Sequence, residues 1–320
     1  MATTLNPFDA PSAAPGSILE PATGIVPGPE VTSSPSDPAM LRGLYSAMLR
    51  CRMVEERVEN LAKLQIFKSS PKSPRAVEAT EIGSLMELRA GDGIASQVGF
   101  ASRMFAGQPL GLYFAELYGV RLEYMALAPE AANTPIHLLP GAPTAVAQLN
   151  VAAGFALALK RAQRRNVVVV LLADGENALG YWHEAATLAA AERLPIIFVA
   201  ISSPSTANDF GDSDARQRAA SYGIPGITVD GGDVVGSWRV AQESIYRARG
   251  GAGPTLIDSQ LPPAQSNSRP HAASDPLARM QHYLEKRKLW KQSWKDELTR
   301  KFAAEIDEAQ SFLPGAAGTQ

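Results

Sequence analysis

An acidic residue directly after a buried apolar run is the feature of this sequence best able to do chemistry. Residues 167–172 are apolar and mostly β-branched, which predicts a strand buried on both faces of a parallel sheet, and Asp174 and Gly175 follow it. Because ligands of open α/β sheets bind beyond the carboxyl ends of the strands, a carboxylate here can hold a hard cation such as magnesium, which can bridge a diphosphate. An aspartate that caps the following helix is the alternative, and the sequence leaves both roles open.

The segment after Asp174 has the pattern that completes a strand–helix–strand unit. Apolar residues recur at nearly helical spacing over residues 179–189, and a second apolar run begins after Leu194 and Pro195, at residues 196–201. This crossover predicts two parallel strands whose carboxyl ends lie at the same edge of the sheet.

The remaining periodicity predicts helices on both sides of that unit. Asp37 is a candidate N-cap and Pro38 the first residue of the opening helix, whose apolar pattern runs to Leu64. Further helices are predicted at residues 76–88, 100–118, 145–160, 177–192, 212–222, 234–249, 276–288 and 290–312, strands at 228–229 and 255–257, and a loop at 129–143. The predicted fold class is α/β, with a doubly wound, mostly parallel sheet and helical additions at both ends.

The composition is that of an ordinary globular chain. It has 320 residues, of which 45% are apolar and 19% charged. Its net charge of −2 does not indicate binding to nucleic acid or to an anionic membrane surface. No run approaches the ~18 apolar residues of a membrane span. Cys51 is the only cysteine, so an intrachain disulfide and a Cys-rich zinc site are excluded. A reducing, cytoplasmic location is the corresponding prediction.

The first 38 residues differ in composition from the rest. They hold eight prolines and neither lysine nor arginine, so we expect neither a mitochondrial transit peptide nor a secretory signal. The predicted domains are therefore a disordered Pro-rich tail at 1–38, an α/β domain at 39–275 and a C-terminal helical arm at 276–320. The tail has an alternative role as a tether to a partner.

Three short motifs in chain order resemble a known family. Residues 173–175 read Ala-Asp-Gly, residues 183–185 read His-Glu-Ala, and the second strand is followed by Ser-Ser at 202–203. This order resembles the alpha subunit of thiamine-diphosphate-dependent 2-oxo-acid dehydrogenases, the pyruvate and branched-chain decarboxylating components. Their motif is Gly-Asp-Gly, a helix with His-Glu-Ala, and a strand ending in Asn-Asn. The resemblance covers roughly residues 40–312 and implies the thiamine-diphosphate-binding fold.

The resemblance also implies a set of site residues. Asp174 takes the place of a magnesium ligand, and Ser203 and Ser205 stand at two further positions of the metal site. His137 and His271 stand at or near catalytic histidines, although a structural role for His137 and an alignment of Asn267 in place of His271 are alternatives. The residues at cofactor-binding positions are Gln97, Ala145, Ala147, Gln148, Gly175 and Glu176.

Several cofactor positions depart from the family pattern. The family's Tyr-Arg, which grips the diphosphate, aligns with Gln97 and Val98, so a charge-assisted contact is lost. Pro143 stands in the glycine-rich cradle and lacks an N–H donor. Lys72, Arg75 and Arg103 are the cations nearest in sequence that could replace the arginine.

Three functions follow from this pattern. The chain is an alpha subunit that performs oxidative decarboxylation of a 2-oxo acid with thiamine diphosphate and magnesium, or a catalytically silent scaffold or regulatory relative. The third possibility is an α/β domain that binds another small ligand. The resemblance implies a beta-type subunit as partner, in a heterotetramer, with an acyltransferase core as a possible further partner. Small residues over 147–156 predict that this helix lies at a subunit interface.

Overall fold

A computed structural model describes residues 37–63, 77–96, 99–118, 136–140, 145–173, 179–202, 215–261 and 275–311. The helices of this part of the chain are α1 Pro38–Lys63, α2 Glu78–Leu85, α3 Ala101–Phe105, α4 Leu110–Leu117, α5 Ala145–Arg161, α6 Leu179–Ala191, α7 Ala215–Ser221, α8 Val234–Arg249, α9 Pro276–Lys286 and α10 Gln292–Ser311. The strands are β1 Gly93–Ser96, β2 His137–Leu138, β3 Val168–Ala173, β4 Ile196–Ser202, β5 Gly226–Asp230 and β6 Thr255–Gln260.

The six strands form one sheet in the order β2-β1-β3-β4-β6-β5, and every neighbouring pair is parallel. The order in which the chain adds strands reverses between β1 and β3. The chain goes outward on one side of this point, from β1 to β2, and then outward on the other side, from β3 to β4. A doubly wound sheet binds ligands at such a switch point. The predicted fold class is therefore confirmed.

Side chains of the central strands alternate between two hydrophobic clusters, one on each face of the sheet. In β3, Val169 and Leu171 belong to the cluster that includes residues of α1, α2, α3, α4, α8, α9 and α10. Val168 and Val170 belong to the other cluster, which includes residues of α5, α6 and α7. We call these sides face one and face two. Residues 167–172 were predicted to be buried on both faces, and this is confirmed.

The predicted start of the first helix is also confirmed. The backbone N–H of Ala39 donates to Oδ1 of Asp37 at 2.9 Å, and α1 begins at Pro38. The end of α1 agrees within one residue with the predicted apolar pattern, and α8 has the predicted bounds. These elements follow local signals, namely a cap, a helix-compatible proline and an uninterrupted apolar stripe.

Two predictions about the segment between residues 93 and 143 are wrong. The single helix predicted at residues 100–118 is two short helices, because Gly107 has a φ of +71° and Pro109 is the N-cap of a new helix that begins at Leu110. The predicted loop at 129–143 contains β2, and β1 was not predicted at all.

The C-terminal helices pack into the same core as the rest of face one. Phe302 and Ile306 of α10 are buried in that cluster, and Tyr45 of α1 contacts Trp290 and Trp294 at ring distances of 4.9 and 5.6 Å. Within the described ranges, no helix has the length and apolar character needed to cross a membrane. The predicted tail, up to residue 36, lies outside these ranges and stays a prediction.

Candidate functional site

The carboxyl ends of β1, β3 and β4 meet at one edge of the sheet, beside the switch point. Ser96 of β1 pairs with Leu171 of β3, and Ala173 of β3 pairs with Ile201 of β4. The next residues along the chain are the ones predicted to bind cofactor and metal. The predicted site residues outside the described ranges are Gln97, Asp174, Gly175, Glu176, Ser203, Ser205 and His271. Their roles stay predictions.

The amino-terminal end of α5 reaches the same edge. A helix that connects two parallel strands runs antiparallel to them, so its first turn lies at their carboxyl ends. Ala145 begins this helix, Ala147 is half-buried and Gln148 is fully buried. The structure therefore brings these three predicted cofactor positions to the edge at which β3 and β4 end.

His137 lies at the other end of the sheet. It pairs with Gly93, which pairs with Val168, the first residue of β3. The carboxyl end of β3 at Ala173 is five residues farther on, about 16 Å along the strand. The imidazole is exposed and lies 5.6 Å from the ring of Phe155. This position separates His137 from the other predicted site residues, so its catalytic role stays a prediction without geometric support.

A buried carboxylate at the carboxyl edge was missed by sequence analysis. Asp258 of β6 is 4% exposed, and its Oδ1 accepts a hydrogen bond of 2.7 Å from the hydroxyl of Ser202, at the end of β4. The side-chain amide of Gln260 donates to its other oxygen at 3.0 Å. The available signal was an acidic residue directly after the predicted strand at 255–257, the same pattern as Asp174 after residues 167–172.

A second missed carboxyl group lies beneath the turn that follows β1. Glu81 of α2 is completely buried, and a Cβ placed on Gly99 would lie 2.2 Å from each of its carboxyl oxygens. The backbone N–H of Phe100 donates to Oε1 of Glu55 at 3.3 Å. Burial and the neighbouring Glu55 carboxylate raise the pKa of Glu81 well above its usual value of 4.5. This side of the switch point is therefore acidic.

Glu78 of α2 has a structural partner. Arg52 of α1 forms ion pairs with Glu78 and with Asp275, the latter at 2.9 Å. Burial raises the pKa of Glu78 above its usual value, and Arg52 opposes that rise. Arg52 thus joins α1 to α2 and to the start of α9.

One of the cations expected to replace the missing arginine is engaged elsewhere. Arg103 pairs with Glu116 at 3.1 Å and lies over the ring of Tyr113 at 5.2 Å. Lys72 and Arg75, the other two candidates, lie outside the described ranges. Among the residues that are described, no cluster of His, Cys, Asp and Glu has an arrangement that could hold a metal ion.

Comparison with known proteins identifies the relatives of this chain. Residues 46–261 match the dehydrogenase E1 component family. The chain is 32% identical over 229 residues to the alpha subunit of acetoin:2,6-dichlorophenolindophenol oxidoreductase of Bacillus subtilis, over 67% of each chain. It is 35% identical over 168 residues to the alpha subunit of 3-methyl-2-oxobutanoate dehydrogenase of Mycobacterium tuberculosis, over 46% of each chain.

The pyruvate dehydrogenase E1 component alpha subunit of Staphylococcus aureus is 33% identical over 184 residues, which cover 51% of this chain and 50% of that one. The chain thus spans about half the length of the last two relatives. Among solved structures, a transketolase from Campylobacter jejuni aligns with a TM-score of 0.48 at 18% identity, over 68% of this chain and 37% of that one.

Proposed function

The chain belongs to the dehydrogenase E1 component family, and we propose that it is the alpha-type subunit of a 2-oxo-acid dehydrogenase complex. The observation that carries this proposal is the family match, which runs from α1 to the residue after β6 and so includes the whole sheet. In this role the chain takes part in the oxidative decarboxylation of a 2-oxo acid. Its relatives named as alpha subunits support the same assignment.

A beta-type subunit is the expected partner, and the outer surface of α5 supports a contact of this kind. Val151 is 39% exposed, and a Cβ on Gly154 would meet no atom within 4 Å. Leu188 on the adjacent α6 is 40% exposed. Small and apolar exposed residues allow another backbone to approach closely, and we propose that this surface is covered in a heterotetramer.

The family implies thiamine diphosphate with magnesium as cofactor, and the described residues fit that group only in part. Gln148 lies at the carboxyl edge, where Asp174 and Ser203 directly follow β3 and β4. The end of β1 does not fit, because the buried carboxyl of Glu81 lies against Gly99, next to the positions of the family's diphosphate grip. A diphosphate needs donors and positive charge, and a buried carboxyl group supplies no positive charge. We therefore propose that cofactor binding is impaired.

This acidic turn also favours a second candidate function, a catalytically silent scaffold that pairs with a beta-type subunit. In both functions the chain keeps its fold and its pairing surface. They differ in whether the assembled complex binds cofactor. A core acyltransferase and a cytoplasmic location belong to the same proposal.

Assembly tests the proposed function directly. Sedimentation velocity of the full chain co-expressed with a beta-type dehydrogenase subunit should show a heterotetramer, and the chain alone should not behave as a stable monomer. A Gly154→Trp variant, which places a large side chain on the outer surface of α5, should fold but fail to assemble. A stable monomer in both samples would contradict the proposal.

A further inference from the structure

Glu81 is a buried carboxyl group for which the proposed function has no use. It is 0% exposed, and neither oxygen has a hydrogen-bond partner within the described chain. The carboxyl lies directly against Gly99, whose φ of +62° is a conformation that favours glycine. A side chain at residue 99 is therefore disfavoured by both space and backbone conformation, and the turn and the carboxyl group are fitted to each other.

A second carboxyl group reaches the next residue of the same turn. Oε1 of Glu55 accepts the backbone N–H of Phe100 at 3.3 Å. Because Gly99 and Phe100 are consecutive, the carboxyl groups of Glu55 and Glu81 meet at one turn. A carboxyl group that is fully buried without a hydrogen-bond partner ionises only at a large free-energy cost, and the half-buried Glu55 at the same turn adds a like charge, so Glu81 takes up a proton.

The other charged and titratable groups around Glu81 come from the neighbouring elements. Cys51 of α1, Glu78 of α2 and Tyr113 of α4 interact electrostatically with Glu81, and these groups in turn interact with Arg50, Arg52, Arg103 and Asp275. The helix α8 meets α2 at Gly83 through Ser237 and Trp238.

The three cations in this set form their ion pairs with other acids. Arg50 pairs with Glu305, Arg52 pairs with Glu78 and Asp275, and Arg103 pairs with Glu116. A proton is therefore the positive charge that remains for Glu81 among the described groups.

We propose that Glu81 is protonated in the folded chain, and that this proton holds the turn at Gly99 and Phe100 against α2. Glu81 carries the proton, while the neighbouring Glu55 accepts the N–H of Phe100. When the proton leaves, the Glu81 carboxylate remains fully buried beside Glu55 and pushes the turn away. Glu81 is then a positioning residue for the end of β1, and its effect depends on pH.

The direction of the pH dependence follows from burial. Burial, and then Glu55 and Glu78, raise the pKa of Glu81 well above its usual value of 4.5. The stability that such a group contributes is complete below the pKa of the unfolded chain and is lost as pH rises through the pKa of the folded chain. In that window the equilibrium constant for unfolding rises by up to about tenfold per pH unit for each proton involved.

Urea unfolding of the full chain, measured from about pH 5 to about pH 9, tests this proposal. Glu81→Gln keeps the shape of the side chain but stays neutral at every pH. We expect the wild type to lose stability as pH rises, and the variant to lose less, so that the variant becomes the more stable protein at high pH. The protection of the Phe100 amide against hydrogen exchange should fall with pH in the wild type and stay level in Glu81→Gln.

Two further variants make the result specific. Glu78→Gln leaves Arg52 with one partner fewer, so it should lower stability, and it should keep most of the pH dependence due to Glu81 because burial is the largest cause of that dependence. Glu55→Gln removes the like charge and should reduce the pH dependence of stability, which provides a test if Glu81→Gln does not fold.

The proposal is overturned if Glu81→Gln keeps the wild-type pH dependence of stability. These measurements need neither cofactor nor partner, so their failure would leave the proposed function standing.

Discussion

Asp92 illustrates how a single buried carboxylate organises the amino-terminal edge of the sheet. It is fully buried and accepts hydrogen bonds from the backbone of Arg89 at 2.8 Å, from the backbone of Val167 at 3.0 Å and from the side chain of Asn166 at 3.0 Å. It also pairs with Arg249. Burial lowers the pKa of Arg249, and the Asp92 carboxylate opposes that change. The carboxylate therefore joins the starts of β1 and β3 to the end of α8.

Replacement of Asp92 should be severely destabilising. Asp92→Ala leaves the Arg249 guanidinium buried without its charge partner, which costs about 3–5 kcal/mol of unfolding free energy. Urea unfolding at neutral pH measures the loss. Asp307→Ala is the matched control, because it breaks an exposed ion pair with Arg57, and it should cost at most about 1 kcal/mol. Equal effects of the two variants would contradict this account of Asp92.

Sequence analysis singled out neither Asp92 nor Glu81, and the reason is physical. The partners of Asp92 include Val167 and Arg249, which lie far from it in the chain. Glu81 occurs in a short helix that is buried along its whole length, and its carboxyl group lies against the turn at Gly99. These contacts join separate segments of the chain, and no local pattern predicts them.

Among the helices, the contact between α2 and α8 is the one most sensitive to side-chain size. A Cβ on Gly83 would lie 2.7 Å from the Cβ of Ser237 and 2.8 Å from the backbone nitrogen of Trp238. Gly83→Ala should therefore force the two helices apart and cost about 1–3 kcal/mol. Gly154→Ala is the control, because a Cβ there meets nothing, and it should stabilise the isolated chain by about 0.5–1 kcal/mol.

Thermal or urea unfolding of the two glycine variants separates close packing from helix propensity. If both variants stabilised the chain, the packing of α2 against α8 would be looser than the structure shows. The same alanine substitution has opposite effects because the two glycines face different surroundings.

Elements with a strong local signal were predictable, and elements formed by their neighbours were not. The continuous apolar runs predicted β3 and β4, and the apolar stripe of residues 234–249 predicted α8. By contrast, β1 and β2 are short, and their backbone hydrogen bonds come from distant residues: Gly93 donates to Val167, and His137 donates to Asp92. Since the level of His137 in the sheet depends on these bonds, its distance from the carboxyl edge could not be read from the sequence.

At the scale of the whole molecule, the two sides of the switch point differ. On the α5 side, Gln148 reaches the carboxyl edge at which β3 and β4 end. On the β1 side, buried Glu81 and half-buried Glu55 lie at the turn next to the predicted diphosphate positions. The family fold is kept while one side of its site is acidic, and this contrast leads to the proposal of an alpha-type subunit with impaired cofactor binding.

A thermal-shift measurement with thiamine diphosphate and magnesium tests this claim most directly, on the chain assembled with a beta-type subunit. A ligand that binds only the folded state at a hundredfold excess over its Kd stabilises it by about 2.7 kcal/mol. We predict no shift beyond that of magnesium alone for the wild type, and the same result for Asp174→Ala. A wild-type shift of that size which disappears in Asp174→Ala would contradict the account and establish an active cofactor site.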